Sequence, residues 1–95
     1  MEIITKSTFR KHFKKYVLSQ TNRANFKLAV RILSEGTRMP LRFDDHQLKH
    51  QNKGVRDFHL SNDLVVVYYL VLNRKIIFID VGPHSLVFNV KREFI

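Results

Sequence analysis

Between residues 54 and 82 the chain alternates apolar runs with breaks too short to hold anything but a tight turn, and this punctuation restricts the fold more than any other feature. The runs are Val55 to Leu60, Leu64 to Leu72 and Lys75 to Val81, separated by Ser61-Asn62 and Asn73-Arg74. Separators of that size join antiparallel strands, because a parallel pair needs a crossover of about a dozen residues or more. Gly82-Pro83 marks a third break, after which Ser85 to Val90 reads as a last strand.

The first third of the chain has the other period. Glu2 to Thr5 forms a short strand, Ser7 or Thr8 offers a side-chain oxygen as a helix cap, and Phe9, Phe13, Tyr16 and Val17 then recur on one helical face. Ser19 to Asn22 interrupts the pattern before Phe26, Ala29, Val30 and Leu33 repeat it, with Gly36 as the stop. Residues 37 to 53 have no sustained period and read as an ordered connection. A run of helices before a run of strands predicts one α+β domain over residues 1–95. An N-terminal helical hairpin packs on one face of a twisted, mostly antiparallel sheet of four to five strands.

Charge and composition narrow the function. Seventeen Lys and Arg against eight Asp and Glu give a formal net charge of +9. Residues 1 to 38 alone carry nine basic and two acidic side chains, so the helices are the electrostatic handle for an anionic partner. The absence of cysteine excludes a disulfide framework, a thiolate zinc site and a cysteine nucleophile, and fits a reducing cytoplasm. Three glycines, at positions 36, 54 and 82, cannot build a phosphate loop or a dinucleotide fingerprint. The opening residues lack the features of a signal peptide, and the longest apolar stretch is too short to span a membrane, so a soluble intracellular protein is expected.

Alternation along the strand from Val55 places Phe58 and Leu60 on one face and Asp57 and His59 on the other. Asp63 opens the next strand beside that hairpin end, His84 follows Gly82-Pro83, and His46 lies in the preceding loop. These are the groups suited to proton transfer near neutral pH. Each has a plainer reading: a surface or structural histidine, a turn cap at Asp63, a partner for a neighbouring arginine at Asp57. His46 and His50, four apart, open a metal reading in which His59 or His84 completes the shell, although the glutamate of a His-Glu-x-x-His motif is lacking.

Taken in order, Asp45-His46-Gln47-Leu48, Lys53-Gly54-Val55-Arg56-Asp57-Phe58-His59, Asp63-Leu64-Val65-Val66-Val67-Tyr68 and Gly82-Pro83-His84-Ser85-Leu86-Val87-Phe88 resemble the YafQ-type toxins of the RelE superfamily. The resemblance implies a RelE-like fold and a ribosome-dependent mRNA interferase of a bacterial type II toxin-antitoxin pair. Such an enzyme cuts mRNA in the A site through the RNA's own 2′-hydroxyl, without metal or cofactor. By the same resemblance His46, His59 and His84 match active-site histidines, Asp57 and Asp63 strand acids, and Phe88 an aromatic that stacks on a splayed base or fills the core. Arg56, Lys53, Arg10, Lys14 and Arg31 are the expected RNA contacts. Asp80 stands where relatives often place an arginine, which makes Arg56 the nearest substitute. The implied partners are a cognate antitoxin, the ribosome with its A-site mRNA, and operator DNA only through the antitoxin complex, with no membrane.

Two rival readings stay open: a non-catalytic RNA- or ribosome-binding regulator of the same fold, and a metal-dependent hydrolase built on the histidines.

Overall fold

The computed structural model describes residues 1–48, 54–72 and 74–88. Strand β1 (Glu2–Thr5) leads into helix α1 (Ser7–Tyr16), and helix α2 (Gln20–Glu35) follows after a short connection. A 3-10 turn at Leu41–Phe43 then precedes strands β2 (His46–Gln47), β3 (Val55–Ser61), β4 (Leu64–Val71) and β5 (Lys75–Gly82), and a short helix α3 (His84–Val87). The five strands form one sheet in the order β1-β5-β4-β3-β2. Pairing is antiparallel except for β1, which lies parallel to β5 with Glu2 opposite Lys75. The expected α+β architecture, with its helical hairpin and mostly antiparallel sheet, is present.

Both helices pack on one face of the sheet. Phe9, Phe26 and Phe78 meet there, with ring centroids 5.3 Å apart for Phe9 and Phe78 and 5.1 Å for Phe26 and Phe78. Val17, Ala29, Leu33, Met39, Phe43, Phe58 and Tyr68 complete the larger core. The opposite face has a smaller one, in which Val55, Val67, Ile79 and Val87 are joined by Leu48, Tyr69 and Phe88. That smaller core leaves one end of the second face to polar groups. Among the described residues no helix is long and apolar enough to cross a membrane.

Two local expectations change and a third holds. Neither Ser7 nor Thr8 caps α1. The N-cap is Lys6, whose N–H bonds to the Phe78 carbonyl at 2.9 Å, so sheet pairing holds the chain extended up to the helix start. The break before α2 is narrower than predicted, because Ser19 is its cap, accepting from the Asn22 N–H at 3.0 Å, and Thr21 and Asn22 fall inside the helix. Gly36 ends α2 in the left-handed conformation at φ 71, as expected of a residue without Cβ.

The larger correction is at residues 84 to 88. The segment predicted as a last strand from Ser85 is the turn of helix α3, with the Leu86 and Val87 N–H groups bonded to the Pro83 carbonyl at 3.0 Å and the Phe88 N–H to His84 at 2.9 Å. Asn89 and Val90 of that prediction lie outside the described residues. A short apolar run has no period long enough to separate strand from helix. Here Pro83 sets an extended residue at the N-cap, φ −62 and ψ 156, and the chain turns. The fifth strand of the sheet is instead β2, two residues long and drawn from the segment read as connection.

Candidate active site

Sheet register assembles the polar cluster on the second face. His46 of β2 stands directly opposite Asp57 of β3, and residues so paired share a face. His59, two residues beyond Asp57, shares it as well. His59 is opposite Val65, and Val65 is opposite Gly82, so the chain leaving β5 at Gly82-Pro83 delivers His84 beside His59. Their ring centroids are 5.6 Å apart. Gly82 gives this arrangement its close packing: a Cβ there would come within 2.8 Å of the end of the Leu86 side chain in α3, which would have to shift.

Asp57 is the hub. Its Oδ2 lies 3.2 Å from His46 Nε2 and its Oδ1 lies 3.8 Å from His59 Nε2. The carboxylate is 1% exposed, and among the described residues neither oxygen accepts a hydrogen bond. Burial pushes its pKa above the ordinary carboxylate range, opposed by the positive potential of His46, His59 and His84 and reinforced by Asp44. The hub therefore borders the cleft without opening to it. His46, Gln47, Leu48, Asp57, His84 and Phe88 line a shallow cleft of about 300 Å³.

Each imidazole is held differently. His46 Nδ1 is 2.7 Å from the backbone carbonyl of Asp44. A carbonyl only accepts, so Nδ1 carries the proton and the lone pair of the neutral ring is on Nε2. His59 is 19% exposed, against 53% for His84. Asp63 accepts the His84 backbone N–H on Oδ1 at 3.1 Å, with His84 Nδ1 3.9 Å from the same oxygen. Asp63 thus caps the start of α3 from the β3–β4 turn, and acts on His84 through the backbone. Phe88 packs against the smaller core with its ring centroid 4.9 Å from that of His84.

The predicted RNA contacts are not gathered here. Arg56 follows the alternation of β3 to the helix side of the sheet, where its Nη2 donates to Asp45 Oδ2 at 2.9 Å and it faces Tyr68 across the ladder. It is not among the residues that line the histidine cleft. Arg10 donates to the Thr5 carbonyl and, at 3.0 Å, to Thr5 Oγ1. Lys14 borders a groove floored by Phe9, Phe13 and Phe26, and Arg31 Nε lies 4.0 Å from Glu35. All three belong to the helices, on the face opposite the cluster. Lys53, and the His50 of the metal reading, lie outside the described residues. Among those described, no group of three or more His, Cys, Asp or Glu is arranged to hold a metal ion.

Sequence reasoning passed over His12 and Asp45. His12 of α1 hydrogen-bonds Oδ1 of the fully buried Asp80 at 2.6 Å, and the Val81 N–H donates to the same oxygen at 2.8 Å. Asp80 is therefore built into the fold, a role that its description as a missing arginine does not convey. His12 lies between Phe9, Phe13 and Tyr16 in the helical pattern, and its placement toward the sheet was available from that spacing.

The family model for YafQ, a bacterial toxin of type II toxin-antitoxin systems, matches residues 1–89. Among solved structures, the copper-bound form of a mutant toxin from Helicobacter pylori is 28% identical with a TM-score of 0.83, covering 93% of this chain and 99% of that one. A metal-bound toxin from the same organism is 27% identical with a TM-score of 0.82, over 93% and 99% of the two chains. The E. coli DinJ-YafQ complex matches at 25% identity and a TM-score of 0.79, over 93% and 98%. No curated protein sequence matches.

Proposed function

Because the chain belongs to the YafQ family of bacterial type II toxins, we propose that it is a ribosome-dependent endoribonuclease that cuts mRNA in the A site. In this reaction the RNA's 2′-hydroxyl attacks the adjacent phosphorus, a 2′,3′-cyclic phosphate forms and the P–O5′ bond breaks. The observation that carries the reading is the convergence of His46, His59 and His84 on one buried carboxylate beside an open cleft. Such a cut needs a base for the 2′-hydroxyl proton, an acid for the 5′-oxygen and donors for the developing phosphorane.

His46 is the base in this scheme. Its Nδ1–H is fixed on the Asp44 carbonyl, and the charge of Asp57 at 3.2 Å stabilises the imidazolium formed when Nε2 takes the proton. His84, the more exposed of the other two, is the acid that protonates the leaving oxygen, with Asp63 fixing its backbone. His59, between them, donates to a non-bridging phosphate oxygen. Phe88 stacks on a base displaced from the codon. The scheme assigns both proton transfers to histidines and routes no step through a metal. The metal-bound H. pylori relatives make a chelator arm part of the test.

By analogy with the DinJ-YafQ complex, the partner is a cognate antitoxin. In this reading the antitoxin silences the protein and alone brings it to operator DNA. An in vitro translation reaction with the purified chain, followed by primer extension, tests the function. In-frame cuts that need ribosomes, are retained by protein stripped of metal with a chelator and desalted before the reaction, and vanish in His84→Ala support it. Ribosome binding without cuts would replace it with the non-catalytic regulator, and cuts lost on stripping the protein and restored by added transition metal with the metal hydrolase.

A further inference from the structure

The helix side of the sheet carries a second polar group directly behind the histidine cluster. Asp45 accepts from Tyr68 Oη on Oδ1 at 2.6 Å and from Arg56 Nη2 on Oδ2 at 2.9 Å. Tyr68 and Arg56 are cross-strand neighbours on β4 and β3, and Tyr68 is fully buried. Burial, then the bond to Asp45, pushes the Tyr68 phenol far above its ordinary pKa. Burial works against the Arg56 charge, but its bonds to Asp45 and the contact with Tyr68 leave its pKa raised. Both groups therefore remain donors throughout the range in which histidines titrate.

What this anchor holds is short. β2 has two residues, too few for the pairing of His46 with Asp57 and Gln47 with Arg56 to persist unaided. Asp44, just before Asp45, takes the left-handed conformation at φ 48, which Asp tolerates better than most residues with a Cβ and which turns the chain into β2. The carbonyl of the Asp44–Asp45 peptide is the one that receives His46 Nδ1. Fixing the Asp45 side chain fixes that peptide plane. The plane in turn sets which imidazole nitrogen holds the proton and which faces Asp57.

We infer that Asp45, clamped by Arg56 and Tyr68, is the positioning residue of the site: from the far face of the sheet it selects the Nδ1–H tautomer of His46 and aims Nε2 at Asp57 and the cleft. The kinetic part of this inference rests on the proposed cleavage function, whereas the tautomer part does not.

The test is imidazole nitrogen NMR of the full chain, as wild type, Asp45→Ala and Tyr68→Phe, with single-turnover cleavage measured alongside. In the wild type His46 holds the Nδ1–H form. Asp45→Ala shifts it toward the Nε2–H form that a free imidazole prefers, while His84, bound to a different element, keeps its signals. Tyr68→Phe retains the buried ring, and so the core, and shifts His46 in the same direction by a smaller amount. The saturated single-turnover rate of Asp45→Ala falls by about tenfold to a hundredfold with the half-saturating ribosome concentration little changed, the signature of a misaimed group rather than of weakened binding. A His46 tautomer unchanged in folded Asp45→Ala overturns the inference. If that variant does not fold, an unchanged tautomer in Tyr68→Phe overturns it equally. Wild-type protein that holds the tautomer but cuts no mRNA refutes the cleavage function and leaves the positioning role standing.

Discussion

The Nε2 atom of His46 lies 3.2 Å from Oδ2 of Asp57, setting a half-exposed imidazole against a carboxylate that is 1% exposed. One member of the pair meets solvent and the other does not, so the cost of charging them falls on Asp57. Its pKa stands above the ordinary carboxylate range because burial penalises its charge more than the surrounding histidines favour it.

Asp57→Asn therefore separates stability from activity. The folded state holds the Asp57 proton more tightly than the unfolded chain does, so stability is lost as pH rises from the ordinary carboxylate range through the raised folded pKa. The asparagine variant escapes that loss. It should be more stable than wild type near neutral pH, by about 1 kcal/mol if the buried charge costs what the lower range of unsatisfied polar groups costs. Below the carboxylate range the advantage disappears, and cleavage is reduced at every pH. Urea titrations of both proteins across pH check this, and parallel stability curves would contradict the burial argument.

His84→Ala should slow cleavage by about a hundredfold or more, the scale of a lost general acid, with ribosome binding unchanged. Asp63→Ala acts indirectly. It frees the His84 backbone N–H that now bonds to Asp63 at 3.1 Å, loosens the start of α3, and should cost about 1 kcal/mol and a smaller part of the rate. A combined variant no slower than His84→Ala would show that Asp63 works only through His84. An additive loss would give Asp63 its own contact with RNA.

Much of this site was legible because its logic is periodic. The alternation of β3 predicts that Asp57 and His59 share a face, and the order of motifs brings His84 to the end of β5 beside them. Arg56 obeys the same alternation, and by that rule alone belongs with Phe58 on the helix side. What the sequence did not reveal depends on single contacts between distant segments. Val67 stands between Asp57 and Asp80 in the ladder, yet only α1, packed along β5, explains why Asp80 is an acid. The turn at His84–Val87 depends on Pro83 and on Asp63 some twenty residues earlier, about which a local apolar pattern is silent.

His12→Ala tests the Asp80 reading. Losing a hydrogen bond to a fully buried carboxylate should destabilise the protein by about 2 to 3 kcal/mol in urea unfolding. Asp80→Arg, the change that would install the charge implied by the family resemblance, should destabilise at least as much, because a guanidinium replaces a carboxylate at a site with no exposure. A soluble, more active Asp80→Arg protein would return Asp80 to the role of a missing catalytic charge.

The basic helices lie on the face opposite the histidines, so their contribution should be to binding alone. Charge reversal at Lys14 or Arg10 should weaken ribosome binding and reduce the slope of log affinity against log salt by about one for each phosphate no longer neutralised. The rate of cutting at saturating ribosomes should not change. A fall in that saturated rate would mean that the helical face helps to place the mRNA as well as to hold the ribosome.

Gly82→Ala joins packing to chemistry. The added Cβ would come within 2.8 Å of Leu86 Cδ2, the end of a flexible side chain, so the fold can yield and the expected cost is modest, about 1 kcal/mol. The yielding residue is in α3, two positions from His84. A displacement small in stability terms therefore moves the proposed acid relative to His59 and the cleft, and misplacement of an ångström is enough to cost about a hundredfold in rate. Thermal unfolding and single-turnover cleavage of one preparation should show a melting temperature only slightly lowered beside a rate lowered tenfold or more. Equal, small effects on both would mean that α3 absorbs the methyl group by rotating Leu86 alone, and that His84 is held by Asp63 independently of the packing beneath it.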